Sequence, residues 1–291
     1  AYKELDRLDT LSLKLTVKRS EASDYSAGYL WTFFKAQGGY EKIYLGYSED
    51  GLNWVTLNNN KPILVNDAQG SDLGVRDPHI IRSNDGKKYW IIGTDLHAEG
   101  GGAGGSGWNQ LTASKNIVVW ESDDLVNWSE PQIVYAGFET AGCVWAPEAI
   151  WDEATKDYLV YYSVRDAAKA DTDENALRVY TTHTSDFKTF TTPKLWCSED
   201  RAGAEVNIID ATLAYDEETG RYYRFTTSDW NTIIDYSTTL AEDALDVLVD
   251  SEKSKEGNWT RLVNREGAAA AGFDAREGFT VYKLPDGRWC A

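Results

Sequence analysis

Methionine is absent from this chain of 291 residues, and cysteine and histidine occur only three times each. The cysteines, Cys143, Cys197 and Cys290, form no CxxC pair, so the sequence indicates neither a disulfide framework nor a zinc site, although one pair could form a bridge. Because residue 1 is not an initiator methionine, the chain is typical of a processed product. That is compatible with a secreted or cell-surface location.

Positive charge is scarce, and long apolar runs are missing. Lys and Arg number 29 against 47 Asp and Glu, which gives a formal net charge of -18 at pH 7. Such a chain repels nucleic acids and anionic membrane surfaces at long range, whereas a neutral polysaccharide or oligosaccharide meets no such barrier. No apolar stretch reaches the roughly 18 residues of a membrane-spanning helix, and no signal peptide is recognised. The sequence therefore favours a neutral partner, with no nucleic acid and no membrane.

The apolar and aromatic content is sufficient for one folded domain. Hydrophobic residues make up 42% of the chain, and 12 Trp and 17 Tyr supply area for a core and a binding cleft. No Pro-rich or Ser-rich linker divides the sequence. We expect an N-terminal strand within residues 1–24, where LSLKLTVK alternates, and a single domain over residues 25–291.

Four stretches share one plan: a short apolar strand opened by a carboxylate, a charged or Gly-containing turn, and an aromatic-rich strand. The opening carboxylates are 71, 62 and 67 residues apart and are Asp77, Glu148, Asp210 and Glu277. With a further unit from Gly28, this period predicts an all-β, five-bladed propeller with a short last blade. Either the N-terminal strand completes that blade and closes the ring, which we favour, or the chain has lost its end. Because blades aim their innermost strands at one axis, we expect the four carboxylates to meet in a central pocket.

A second repeat marks the outer strands. The pattern S-x-D-x-x-x-W, or the same with Phe, is assigned to Ser48, Ser122 and Ser185. Ser and Asp side chains satisfy backbone groups of tight turns, and an aromatic ring can pack beneath them. We interpret the pattern as a structural hairpin turn.

The motifs VRDPHII, WAPEAIWD, IIDATLAYD and REGFTVYK occur in this order and in phase with the units. Over about residues 28–289 the chain resembles glycoside hydrolase family 43, a five-bladed β-propeller family of arabinofuranosidases, xylosidases and arabinanases. The resemblance implies a general base at Asp77, a second Asp that modulates pKa and orientation at Asp210, and a general acid at Glu277.

The chemistry of sugar hydrolysis supports these roles independently. Inverting cleavage needs a carboxylate that activates water and a carboxylic acid that protonates the leaving oxygen, about 6.5 to 9.5 Å apart. We expect Asp210 to raise the pKa of Glu277 by like-charge repulsion, which keeps the acid protonated near neutral pH. The predicted function is inverting hydrolysis of α-L-arabinofuranosidic or β-D-xylosidic bonds in plant cell-wall polysaccharides or oligosaccharides.

Other residues are candidates for substrate binding. Trp145 can stack on a sugar face, Glu148 can accept from hydroxyl groups or support the acids, and His79 can orient a pocket water. Arg76 and Arg276 each precede a catalytic candidate, so strand alternation points them away from it and favours salt bridges. The predicted substrate-binding set is Trp145, Glu148, His79 and Arg276, and further aromatic candidates are Trp31, Trp108 and Trp230.

No cofactor is required by this chemistry, and the sequence predicts no metal ligands. Some family members hold a calcium ion on the axis through a histidine, but no histidine near Gly28 fits that role. Two other classes stay open. A sugar-binding propeller without catalysis would have the same blades, and a sialidase-like propeller would share the turn motif, although it would need an arginine cluster that this acidic chain does not visibly supply. The preferred pentoside, terminal or internal cleavage, and the oligomeric state are also left open.

Overall fold

The computed structural model describes residues 28–35, 41–98, 107–172, 175–201, 204–228, 230–242, 246–249, 253–254, 257–270 and 277–291. The predicted N-terminal strand lies outside these residues, as do residues 99–106 of the Gly-rich stretch. Within them the structure is almost entirely β, with one helix, α1 (Arg265–Ala270), and two single 3-10 turns, Asn58–Asn60 and Ala167–Lys169.

The strands form five sheets in which nearly all neighbours are antiparallel. The first two sheets follow the chain directly and consist of β1 (Tyr29–Phe33), β2 (Tyr44–Ser48) and β3 (Val55–Thr56), then β4 (Val75–Arg82), β5 (Tyr89–Asp95), β6 (Asn116–Ser122) and β7 (Gln132–Tyr135).

The third sheet begins as the same up-and-down arrangement and is extended at its outer edge. It contains β8 (Trp145–Asp152), β9 (Asp157–Arg165), β10 (Leu177–Thr184), β11 (Lys194–Arg201) and β12 (Ala204–Val206), with β16 (Asp246–Val249) parallel to β11 and followed by β17 (Lys253–Ser254). The fourth sheet contains β13 (Ile208–Asp216), β14 (Arg221–Ser228), β15 (Asn231–Ser237) and β18 (Thr260–Val263), and the last contains β19 (Tyr282–Lys283) and β20 (Trp289–Cys290).

The hydrophobic core lies between successive sheets. Strand β9 shows why, because its side chains alternate between two faces. Tyr158, Val160 and Tyr162 pack toward the second sheet, whereas Leu159 and Tyr161 pack toward the fourth. Both faces of the sheet are therefore buried, which explains the nearly continuous apolar sequence DYLVYYSV.

The inner strands contact one another in the order β1, β4, β8 and β13, as in a propeller. Thr32 on β1 donates a hydrogen bond to the carbonyl oxygen of Pro78 on β4 at 3.0 Å. The two-stranded sheet lies beside both the first and the fourth sheet, because the Tyr29 hydroxyl donates to the Lys283 carbonyl oxygen and Lys283 Nζ lies 3.4 Å from Asp216.

The prediction of a five-bladed propeller is confirmed in its all-β propeller class but not in its number of blades. Four sheets have three or more strands, and these are the blades that the described residues show. From Glu277 onward the chain supplies two strands of two residues each, fewer than a blade contains.

The interpretation of the outer turns as structural is confirmed. In the second sheet the Ser122 hydroxyl accepts hydrogen bonds from the backbone N–H groups of Asp124 and Leu125, and Asp124 accepts those of Val126 and Asn127. The first sheet repeats the arrangement from Ser48.

The third copy of the turn differs by one residue from the sequence assignment. Thr184, not Ser185, accepts from the backbone N–H groups of Asp186 and Phe187. A threonine hydroxyl can take the place of serine, and the motif begins one residue earlier than predicted.

None of the three cysteines is in a disulfide, and Cys143 and Cys197 are buried. Among the described residues no helix has the length and apolar character needed to span a membrane.

Candidate active site

Three inner strands carry the same irregularity near their first residues. In β4, β8 and β13 one extra residue interrupts the pairing with the following strand. Within these interruptions Asp77, Ala146 and Asp210 have φ values of 49°, 49° and 52°. Such a bulge bends the strand and re-aims side chains, and Asp tolerates left-handed backbone better than most residues.

The bulges show that Ala146, not Glu148, is the counterpart of Asp77 and Asp210. The expected phasing of Glu148 with the other carboxylates is therefore wrong by two residues. A signal was present in the sequence, because aligning the D-P of VRDPHII with the A-P of WAPEAIWD gives the observed register.

Two adjoining cavities of about 400 and 490 Å³ share one wall, formed by Arg76, Asp77, Asp210 and Glu277. We call the two cavities together the axial cleft, because the inner strands line it. Glu148 lines the smaller cavity. Each volume is in the range of a small-molecule site. The structure thus brings together all three predicted catalytic residues.

A third cavity, of about 590 Å³, reaches Glu277 from the side of β1 and β19. Its lining is mainly aromatic, with Tyr29, Trp54 and Tyr282, and Glu277 is its one carboxylate. The grouping of acids therefore marks the axial cleft, rather than this larger cavity, as the candidate active site.

Asp77 lies beside one hydroxyl and one cation. Thr94 Oγ1 donates a hydrogen bond to Asp77 Oδ2 at 2.7 Å. Burial raises the pKa of Asp77, while the Thr94 hydrogen bond and the Arg76 charge oppose this rise and favour the carboxylate.

Arg76 makes the salt bridge that strand alternation suggested, with Nη1 2.7 Å from Glu41 Oε1. Its guanidinium also lies between the rings of Phe34 and Trp108, at 4.6 and 4.5 Å from the ring centroids. The expectation that Arg76 points away from the site is wrong, because the bulge interrupts the alternation and both Arg76 and Asp77 line the cleft.

Asp210 has no cation among the groups that shift its pKa. Burial raises that pKa well above the ordinary range, and the charges of Asp77, Glu277 and Glu148 raise it further. Ser163 Oγ accepts the backbone N–H of Asp210 at 3.1 Å, which fixes the bulge. The surroundings of Asp210 therefore favour its neutral form.

Glu277 is solvent-exposed at the mouth of the cleft. Partial burial raises its pKa first, the charge of Asp77 raises it further, and Arg76 lowers it. The sequence assigned this effect to Asp210. In the structure the charge of Asp77 raises the pKa of Glu277, while the repulsion between Asp210 and Glu277 raises the pKa of Asp210.

Glu148 and His79 form a half-buried pair. Glu148 accepts hydrogen bonds from Tyr161 and contacts Thr212, and burial raises its pKa to about 8. His79 Nδ1 lies 3.8 Å from Glu148 Oε2, which is an ion-pair distance. Burial nevertheless lowers the pKa of His79 to about 4, so both groups are neutral at pH 7 and the contact is not a salt bridge.

Three of the predicted aromatic residues, Trp108, Trp145 and Trp230, line the cavity of about 490 Å³ in the axial cleft. Trp145 is half-buried, Trp108 and Trp230 are exposed, and the rings of Trp108 and Trp145 meet edge to face at 6.1 Å. Trp31 lines the smaller cavity. Arg276 lies outside the described residues, so its substrate contact stays a prediction. Within the described part of the chain no cluster of His, Cys, Asp and Glu has the arrangement of a metal site.

Sequence reasoning missed three groups that shape the site. Thr94 bonds to Asp77, while Thr212 and Tyr161 contact Glu148. Each lies on a strand next to that of its partner, 13, 17 or 64 residues away along the chain. Only the register of the sheets brings these hydroxyl groups to the carboxylates.

A cleft of sugar size at the axis of a propeller, with several protonatable carboxyl groups, is characteristic of carbohydrate-cleaving propellers. A family of sequences described as "Probable glycosyl hydrolase domain", related to glycoside hydrolase family 43, matches residues 24–290. The chain belongs to this glycoside hydrolase family.

A curated α-L-arabinofuranosidase from Bifidobacterium longum subsp. longum is 33% identical over 240 residues, which are 76% of this chain and 21% of the relative. The chain thus spans about a fifth of the length of that relative. A solved endo-1,4-β-xylanase from Bacteroides thetaiotaomicron VPI-5482 has a TM-score of 0.58 and 14% identity, over 91% of this chain and 79% of that one. A family 43 β-1,3-galactosidase with galactodeoxynojirimycin has a TM-score of 0.53 and 13% identity, over 92% and 82%. At these identities the two structures show a shared fold alone.

Proposed function

We propose that the protein hydrolyses α-L-arabinofuranosidic or β-D-xylosidic bonds of plant cell-wall polysaccharides or oligosaccharides, with inversion of configuration. The observation that carries this proposal is the meeting of Asp77, Asp210 and Glu277 on the shared wall of the axial cleft. The substrate is neutral, which suits a cleft whose described lining has several acids and, as its cation, Arg76. A location outside the cell is part of the same proposal, since the polymer is found there.

Each acid has a role that its surroundings favour. Asp77, beside Thr94 and Arg76, is the general base that removes a proton from the attacking water. Glu277, with its raised pKa and its exposure to solvent, is the general acid that protonates the departing oxygen. Asp210, held neutral, donates a hydrogen bond to the sugar or to Glu277 rather than repelling either.

The choice of a pentoside as substrate is supported by the arabinofuranosidase relative. The two structural neighbours are less similar in sequence, and their names indicate a xylan and a β-1,3-galactoside as substrates. The cavities on both sides of the acids support a substrate that extends past the cleaved bond. Trp108 and Trp230 are exposed on the cavity of about 490 Å³ and supply apolar faces for sugar rings.

We also propose how the ring of propeller blades closes. We assign the β19–β20 hairpin to a fifth blade, because it lies between the first and fourth sheets. Its Tyr282 packs 5.5 Å from the ring of Tyr29, and the Tyr282 hydroxyl donates to the carbonyl oxygen of Gly51. Phe279 packs 5.8 Å from Phe225 on β14.

The test is a product profile on arabinan, arabinoxylan and xylan, with the anomeric configuration of the first product followed by NMR. We expect release of pentose or short oligosaccharides with inversion, abolished in Asp77→Asn and Glu277→Gln. Asp85→Asn, on an exposed turn, is the matched control and keeps full activity. Retention of configuration would contradict the assignment of Asp77 as base. A wild-type protein that binds these polymers without cleaving them would instead be a carbohydrate-binding propeller.

A further inference from the structure

The contacts of Glu148 indicate where its proton lies. Glu148 Oε1 is 2.9 Å from Thr212 Oγ1, and Thr212 Oγ1 is also 2.7 Å from the carbonyl oxygen of Phe279. A hydroxyl group has one hydrogen, and a carbonyl oxygen can only accept. Both contacts are full two-centre hydrogen bonds when Thr212 donates to Phe279 and Glu148 donates to Thr212.

The second oxygen of Glu148 fits the same assignment. The backbone N–H of Leu213 donates to the Tyr161 hydroxyl at 3.1 Å, and that hydroxyl donates to Glu148 Oε2 at 3.0 Å. One oxygen of the carboxyl group therefore accepts and the other donates. This is the pattern of a neutral carboxylic acid rather than of a carboxylate, which only accepts.

His79 adds an independent constraint. Its Nε2 lies 3.1 Å from the carbonyl oxygen of Ala149, so Nε2 carries the hydrogen in the neutral ring. The lone pair of Nδ1 then faces Glu148 Oε2 at 3.8 Å. The repulsion between that lone pair and Oε2 is weaker for a neutral acid than for a carboxylate, so this contact favours the neutral form.

Among the described residues, the groups that shift the pKa of Glu148 include no cation that would compensate a negative charge. The titratable groups that face it are His79 and Asp77 on β4, Tyr161 on β9 and Asp210 on β13. Burial lowers the pKa of His79 and raises that of Tyr161, so neither is charged at pH 7. The burial that raises the pKa of Glu148 therefore acts in the same direction as the hydrogen-bond pattern.

We propose that Glu148 is a positioning residue that donates its proton to Thr212 and, through Thr212 and the Phe279 carbonyl group, holds the segment that presents Glu277. Phe279 follows Glu277 by two residues, across Gly278, whose φ is 67°. The Thr212 bond and the packing of Phe279 on Phe225 are two contacts that hold this segment in place.

The inference deepens the proposed hydrolase function and rests on it for its kinetic test. Glu148→Gln is the sharpest variant, because an amide offers one donor and one acceptor as the neutral acid does. We expect Glu148→Ala to lower kcat at neutral pH by about 100-fold, as expected for a small displacement of a catalytic group, and E148Q to recover most of that loss because its amide can form both hydrogen bonds.

The pH profile separates positioning from simple structural support. It is measured on an aryl pentoside whose leaving group needs no protonation, so that ionisation of Glu277 does not limit the rate. Wild type should lose activity at alkaline pH as Glu148 gives up its proton, while E148Q should not. If E148Q is as inactive as E148A, or loses activity at the same alkaline pH as wild type, the proposal is wrong.

A second pair of variants tests the connection without enzyme activity. Thr212→Val removes the hydroxyl at nearly constant shape, whereas Thr212→Ser keeps it. Amide hydrogen exchange of the segment from Phe279 to Lys283 should be faster in T212V and unchanged in T212S. Equal exchange in both variants overturns the proposal. An inactive wild-type protein that shows the expected exchange difference refutes the proposed function but supports the connection through Thr212.

Discussion

The carboxyl groups of the axial cleft and those of the outer turns have opposite surroundings. In the outer turns Asp50, Asp124 and Asp186 accept backbone N–H groups, and these bonds hold their pKa values below the ordinary range, at about 2 for Asp124. In the cleft, burial raises the pKa of every carboxyl group, namely Asp77, Glu148, Asp210 and Glu277. The surroundings in the cleft therefore favour the protonated form of a carboxyl group, whereas those of the outer turns favour the carboxylate.

Two histidines show the same contrast. His79 in the cleft has a backbone carbonyl and a neutral acid as neighbours, and burial lowers its pKa to about 4. His183 on β10 has a carboxylate at each ring nitrogen, Asp157 at 2.8 Å and Glu242 at 2.7 Å, which raise its pKa to about 9. Burial alone decides the first case and hydrogen-bonded opposite charge the second. The cleft thus favours neutral side chains, whereas the outer surface favours pairs of opposite charges.

The largest expected effect comes from removing a proton donor of the cleft. Glu277→Gln should lower kcat on a polysaccharide by about 10²- to 10⁴-fold, the usual contribution of a general acid. On an aryl pentoside with an activated leaving group the loss should be much smaller, because that bond breaks without protonation. The ratio of the two kcat values measures the effect. An equal loss on both substrates would contradict the role of Glu277, and Asp124→Asn should leave both rates unchanged.

The next effect is a pH-dependent change in stability caused by Glu148. Its folded pKa is about 8 and its ordinary value is near 4.5, so between these values the folded protein holds a proton that the unfolded chain releases. The unfolding free energy of wild type should fall as pH rises through this window, by about 1 kcal/mol per pH unit.

Urea unfolding at several pH values measures this fall. E148Q cannot titrate at position 148 and should show a shallower decrease between pH 4.5 and 8. Parallel curves for the two proteins would mean that Glu148 is ionised in the folded state.

A smaller effect of the same kind is expected at the outer surface. His183 has a folded pKa of about 9 against an ordinary 6.5, so its stabilisation is complete below pH 6.5 and is lost as pH rises to about 9. His183→Gln should cost about 2 kcal/mol at pH 6 and much less at pH 9.5. Catalysis near neutral pH should be unaffected, since His183 is not among the residues that line the cleft. A loss that does not depend on pH would refute the charge pairing.

The propeller class was predictable from the sequence because it depends on local patterns that repeat. Each unit pairs an apolar strand with an aromatic-rich one, and the turns between them have Asp and Ser at fixed offsets. The number of blades was not predictable in this way. It depends on whether short segments such as β19 and β20 pair with other strands, which is a long-range property.

The composition of the cleft could be predicted only in part. Asp77, Asp210 and Glu277 were recognisable because each opens a motif, and the structure brings them together. The register of Glu148 was misread because a strand period of two cannot reveal a one-residue bulge. The residues whose hydroxyl groups bond to these carboxyl groups, such as Thr212, have nothing in the sequence that distinguishes them from other strand residues.

The smallest effect concerns the outer turn that the sequence placed one residue too late. The Thr184 hydroxyl accepts two backbone N–H groups, so Thr184→Val should leave both without their partner and cost about 1 kcal/mol in unfolding free energy. Ser185→Ala removes a hydroxyl from the adjacent residue and should cost little, because the turn does not use it. Thermal unfolding of the two variants beside wild type measures the difference. A larger loss of unfolding free energy in S185A than in T184V would mean that the motif begins at Ser185, as the sequence predicted. This turn would then not be equivalent to the one at Ser122.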